Sequence, residues 1–116
     1  MVHLSWAKAK TGWLPLNLPW PSAIETVGVY IIWLEGNPSQ VVHVGSGNIG
    51  ECLCHDQNDA EIQAYARFGT LRVTWAAVPA AQVQGVHRYL SEYWRPLIEG
   101  RYPQVLPIGV NSPFAA

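Results

Sequence analysis

The order of apolar and turn-forming segments predicts an α/β fold, a small sandwich with a three-stranded central sheet flanked by helices. Three observations carry that expectation. Residues 27–34 (VGVYIIWL) and 70–78 (TLRVTWAAV) are rich in β-branched and aromatic side chains, the composition of strands. Residues 80–95 bring Val83, Val86, Leu90, Tyr93 and Trp94 onto one helical face, and Leu97 continues the spacing. Between them, residues 42–55 (VHVGSGNIGECLCH) pass from a strand into a helix and hold both cysteines and two of the four histidines.

Taken in order, residues 1–22 carry Trp6, Trp13 and Trp20 among prolines and small residues. A disordered tail is poor in tryptophan, so this stretch is expected to be an irregular arm packed on a domain spanning 23–116. Residues 27–34 form the first strand, and 35–40, with Gly36, Asn37 and Pro38, make the turn into a second strand at 41–44. Gly45, Ser46 and Gly47 are expected to break that strand. Asn48 then caps a helix, because its side chain can accept a bond from the unpaired amides of the first turn. Asn58 and Asp59 end or restart the helix, and 60–68 continues as a second helical stretch before Gly69. The third strand and the last helix follow. Pro96 and Gly100 end regular structure, and the tail with Pro103, Pro107 and Pro113 is extended or looped.

At 116 residues, 49% of them hydrophobic, the chain makes one domain that can build a core without disulfides. No apolar run approaches the ~20 residues that span a bilayer. The start of the chain lacks a basic segment followed by an uninterrupted apolar core, so the expected location is cytoplasmic, where both thiols stay reduced unless a metal holds them. Net charge is −1, and beyond Thr11 five arginines (67, 72, 88, 95, 101) face eight acids. Proteins that bind nucleic acid through phosphate neutralisation carry a basic patch. This composition offers none, which argues against strong nucleic-acid binding. Gly45-Ser46-Gly47 lacks the lysine of a P-loop and the third glycine of a dinucleotide fingerprint, so no nucleotide-binding loop is expected.

The words Gly28-Val29-Tyr30 and His43-Val44-Gly45, followed by Gly47-Asn48-Ile49, by Pro96 after the last long helix and by a late Asn111, resemble the GIY-YIG nuclease superfamily over residues 27–111. The resemblance implies an active site of two motif tyrosines, a first-helix arginine and a metal-binding glutamate on the later helix. Tyr30 matches the first tyrosine and His43 stands at the second. The arginine position, four residues after Asn48, is Cys52; the glutamate position, nine residues before Pro96, is His87. A thiol does not clamp phosphate as a guanidinium does, and an imidazole is a poor ligand for Mg²⁺. Cleavage by the family mechanism is therefore not expected.

Cysteine and histidine are instead ligands for zinc and iron–sulfur clusters. The expectation is a nuclease-fold domain that binds a transition metal or an iron–sulfur cluster in the former cleft, with a redox or sensing role. Cys52 and His87 are the principal candidate ligands. His55 shares a helical face with Cys52, as does Asp56, while Cys54 lies about 200° around the helix and joins only if the helix is distorted. Zinc and a mixed-ligand cluster both fit such a set, and a homodimer pooling ligands from two chains is a further arrangement. A Cys/His catalytic pair is another reading of the same residues. The alternative function is a GIY-YIG endonuclease, or a non-catalytic nucleic-acid-binding module, that uses Tyr30 and His43 with Mg²⁺ and an unrecognised acid.

Overall fold

The centre of the fold is the strand Val27–Leu34, whose residues from Gly28 to Trp33 are all buried. In the computed structural model, which describes residues 2–8, 12–18, 20, 25–36, 38–98 and 103–114, it is flanked on both sides by other strands. We label the strands β1 (Leu14–Pro15), β2 (Val27–Leu34), β3 (Gln40–Asn48) and β4 (Leu71–Ala77). They form one antiparallel sheet in the order β1-β4-β2-β3. The helices are α1 (Ile49–Gln57), α2 (Ala60–Gln63) continuing as a 3₁₀ turn through Phe68, and α3 (Val83–Trp94).

Alternation along β2 separates two cores. Val29, Ile31 and Trp33 face the side covered by α3, where Val83, Val86 and Leu90 pack with Val41 and Val44. Tyr30 and Ile32 face the side covered by α1 and α2, packing with Ile49, Leu53, Ile62, Leu71 and Val73. The α/β class expected from the sequence is therefore found. The sheet has four strands rather than three, because Leu14 and Pro15 pair with Val73 and Arg72. Pro15 lacks an N–H and fits a ladder only at an edge, so this strand carries no strand-like composition to read.

The glycines after β3 were expected to break the strand, and they do not. β3 runs through Gly45, Ser46 and Gly47 to Asn48, pairing with Tyr30, Val29, Gly28 and Val27. Glycine is needed at 45 because a side chain there would collide with the Tyr30 ring. Gly47 has φ +130°, in the region that favours glycine. A bulge also sits in this strand: Ile32 pairs with His43 and Trp33 with Val41, leaving Val42 as the extra residue. Strict alternation from Val41 would send His43 to the α3 side. The bulge turns it to the α1 side, opposite Ile32.

Asn48 caps α1 as expected, its side-chain oxygen accepting from the Glu51 amide at 3.0 Å. Asp59 caps α2 in the same way. α3 begins at Val83, after a turn in which the Gln82 amide bonds the Pro79 carbonyl, rather than at residue 80. After α3, the Leu97 and Ile98 amides bond the Val41 and Val42 carbonyls and cover that part of the outer edge of β3. The edge beside Val44 and Ser46 is left to side chains.

In the N-terminal stretch, Leu4, Leu16 and Trp20 are buried. Trp13 meets Trp33 edge-on at 5.3 Å, and Trp20 meets Trp75 at the same distance. Asn111 ties this stretch to the tail, bonding both the amide and the carbonyl of Leu4. The expected domain boundary at residue 22 lies outside the described residues. Among the described residues, no helix is long and apolar enough to cross a membrane.

Candidate functional site

Three polar side chains meet on the α1 side of the β2–β3 pair. Tyr30 is only 3% exposed and its hydroxyl donates to Asp56 Oδ2. His43 Nε2 lies 3.3 Å from that hydroxyl and 3.5 Å from the same carboxylate oxygen. The carboxylate belongs to a residue that is itself 6% exposed. Because Asn48 fixes where α1 starts, Cys52 and Asp56 stand one turn apart on the helix face turned to Tyr30.

These contacts assign protons. Tyr30 gives its proton to Asp56, so the phenolic oxygen presents only lone pairs towards His43. An ionised carboxylate is also an acceptor only. His43 Nε2 therefore carries hydrogen, and its lone pair is on Nδ1. The imidazole is 25% exposed, and Nδ1 has no partner among the described residues.

Burial lowers the His43 pKa below 6.5, while the carboxylates of Asp56, Asp59 and Glu61 pull it back up. Burial raises the Tyr30 pKa, and the neighbouring Asp56 raises it further. The Cys52 thiol is also pushed up, first by burial and then by Asp56, with the nearby Tyr30 hydroxyl opposing. Cys52 is therefore held as a thiol, which is the wrong state for a nucleophile activated by a neighbouring histidine.

A second pair lies across the same strand. Ser46, opposite Val29, projects to the α3 side, where its hydroxyl is 2.8 Å from His87 Nδ1. Burial lowers the His87 pKa, and the nearby His43 lowers it further. Cys52 Sγ donates to the Ser46 carbonyl at 3.7 Å, so Cys52 and His87 both reach Ser46, from opposite sides of β3.

The other two expected ligands are turned elsewhere. Cys54 donates to the Trp20 carbonyl at 2.9 Å and packs in the α1-side core. His55 has a 78% exposed side chain, with Nδ1 3.2 Å from Asp56 Oδ1. Cys52 and His87 thus converge on Ser46, while Cys54 and His55 point away from it. Among the described residues, no group of three or more histidine, cysteine or acidic side chains is placed to share an ion.

Two residues that carry the geometry were not candidates from the sequence. Asp56 has a readable signal, since it follows Cys52 by one helical turn. Ser46 has none, because its role depends on β3 continuing through the glycines. Comparison with protein-family models, with curated proteins and with solved structures finds no match to this chain.

Proposed function

We propose that this chain is a GIY-YIG-like domain that has left phosphodiester cleavage, and that its β2–β3–α1 site transfers protons with His43 as the base. One observation carries the reading: the Tyr30 hydroxyl donates to Asp56 on α1 and His43 Nε2 lies beside both, which leaves Nδ1 as the basic nitrogen of a partly exposed ring. A buried carboxylate that fixes one ring nitrogen of a histidine, and so sets the other as the base, is the logic of hydrolytic triads. Burial keeps His43 neutral at neutral pH, the state that accepts a proton.

The charges around the site select the substrate. Asp56, Asp59 and Glu61 act on His43, and Glu51 acts on Cys52. Arg72 is paired with Glu35 and Arg88 with Glu92, while Arg67 lies over Phe68. At the position where the resemblance calls for a phosphate-binding arginine stands Cys52, and at the glutamate stands His87. A phosphodiester meets repulsion here, so the substrate is uncharged or cationic.

The test is nitrogen NMR of the His43 ring across its titration. The expected result is a hydrogen on Nε2, a bare Nδ1 and a pKa below the ordinary value, shifted further down in Asp56→Asn. A hydrogen on Nδ1 contradicts the reading. So does Mg²⁺-dependent cleavage of plasmid or branched DNA that is lost in Tyr30→Phe.

A further inference from the structure

Beyond His43, the contact between Ser46 and His87 has the form of a nucleophile and its base. The serine oxygen and the imidazole nitrogen are 2.8 Å apart, residues on different elements brought together across the strand edge. The Val44 backbone acts on the same ring and favours its protonated form. The contact is the nucleophile–base arrangement of covalent hydrolases.

The surroundings suit an incoming carbonyl. Ser46 is partly exposed, so its hydroxyl is open to solvent on the α3 side of the strand. β3 is an edge strand, and an antiparallel edge turns the N–H and C=O of alternate residues outward together. The Ser46 carbonyl accepts from Cys52, which places Ser46 in the outward set. Its own amide therefore faces the same edge and is a donor for an oxyanion formed beside its hydroxyl.

We propose that Ser46 and His87 form a nucleophile–base pair that hydrolyses small uncharged carboxylic esters through an acyl-Ser46 intermediate. As Ser46 Oγ bonds the ester carbon, its proton passes to His87 Nδ1. The bond from that carbon to the leaving oxygen then breaks, and the alcohol departs with the proton from His87. Water next gives a proton to His87 and bonds the acyl carbon. The carbon–Oγ bond breaks, Ser46 recovers the proton and the carboxylic acid leaves. Burial around His87 holds the ring neutral at neutral pH, ready for the first transfer. His43 takes no part in the transfer, so the two readings are tested by different residues.

The probes are p-nitrophenyl acetate and a small alkyl fluorophosphonate, applied to the full chain. The expected result is a burst of about one p-nitrophenol per chain and a single phosphonyl adduct that maps by mass spectrometry to Ser46. Ser46→Ala loses both signals. His87→Gln slows labelling on the order of a hundredfold or more. His3→Gln, at an exposed residue that is not part of the pair, leaves it unchanged. Thermal melts confirm that the variants compared are folded. A hydrogen bond that merely ties α3 to β3 changes the melts without producing a burst or an adduct. An adduct that maps elsewhere with Ser46 unmodified overturns the proposal, as does a burst that survives in Ser46→Ala or equal labelling in folded His87→Gln.

Discussion

Asp56 and Tyr30 are joined by a buried hydrogen bond that links α1 to the central strand, with the phenol as donor and the carboxylate as acceptor. Removing either partner strands the other. Asp56→Ala leaves the Tyr30 hydroxyl without its acceptor, and Tyr30→Phe leaves a buried carboxylate with the histidine contacts alone. Each is expected to cost about 1–3 kcal/mol, the desolvation penalty of an unpaired buried polar group. The double variant should cost less than the sum of the singles by more than about 0.5 kcal/mol. Urea denaturation of the four proteins checks this, and simple additivity contradicts a direct pairing.

The same cluster sets a pH profile for stability. His43 and His87 have folded pKa values below 6.5, so the unfolded chain binds more protons as pH falls through that value. Their contribution is full above 6.5 and is lost on acidification. Tyr30 and Cys52 have folded values above 10.0 and 9.0, so the folded chain holds their protons longer. Their contribution is full below those values and is lost as pH rises past them. Urea midpoints should therefore be flat from about pH 7 to 9 and fall on both sides. His87→Gln should flatten the acid limb. A midpoint that rises as pH drops from about 7 to 5 contradicts the assignment.

How much of this was legible in the chain depends on which physical signal each residue leaves. Composition marks β2 and β4, and periodicity marks α3, because those elements are decided by burial that the sequence itself pays out in apolar residues. Asn48 declares the start of α1 and thereby the face shared by Cys52 and Asp56. The two core strand edges were harder. Leu14 and Pro15 join the sheet through partners some sixty residues away (Val73 and Arg72), with no local propensity for it. Gly45, Ser46 and Gly47 look like a turn, yet Gly45 is small because the Tyr30 ring lies against it, and Gly47 is a glycine because its φ is +130°. Above all, a bulge at Val42 moves His43 from one face of the sheet to the other. Register is a pairing property, and no residue type in 41–44 announces it.

Gly45 gives a sharp test of that close approach. A methyl group at this position runs into the Tyr30 ring, which is itself anchored by Asp56. Gly45→Ala is expected to destabilise by about 1–3 kcal/mol through overpacking. It should also displace the phenol, so the His43 ring resonances shift with it. Shrinking the obstacle should relieve the strain: in a Tyr30→Val background, Gly45→Ala should cost well under half as much. Equal cost in both backgrounds, read by urea denaturation, assigns the effect to the backbone rather than to the ring.

The thiols provide a test that needs no loss of stability. Cys52 is half-buried beside Asp56 with its pKa raised, and Cys54 donates to the Trp20 carbonyl. Thiolate is the reacting form, so Cys52 should react with a disulfide reagent at neutral pH more slowly than a free cysteine. Its rate should climb only as pH passes above 9.0. In Asp56→Asn the neighbouring negative charge is gone and the Cys52 pKa falls, so labelling at a given pH should speed up. The two cysteines also lie about 200° apart around α1, which keeps them from bridging to each other. Mild oxidation should give mixed disulfides with the added thiol and no loss of two mass units within the chain. Fast labelling of Cys52 at neutral pH, or a rate indifferent to Asp56→Asn, contradicts the placement of its thiol beside that carboxylate.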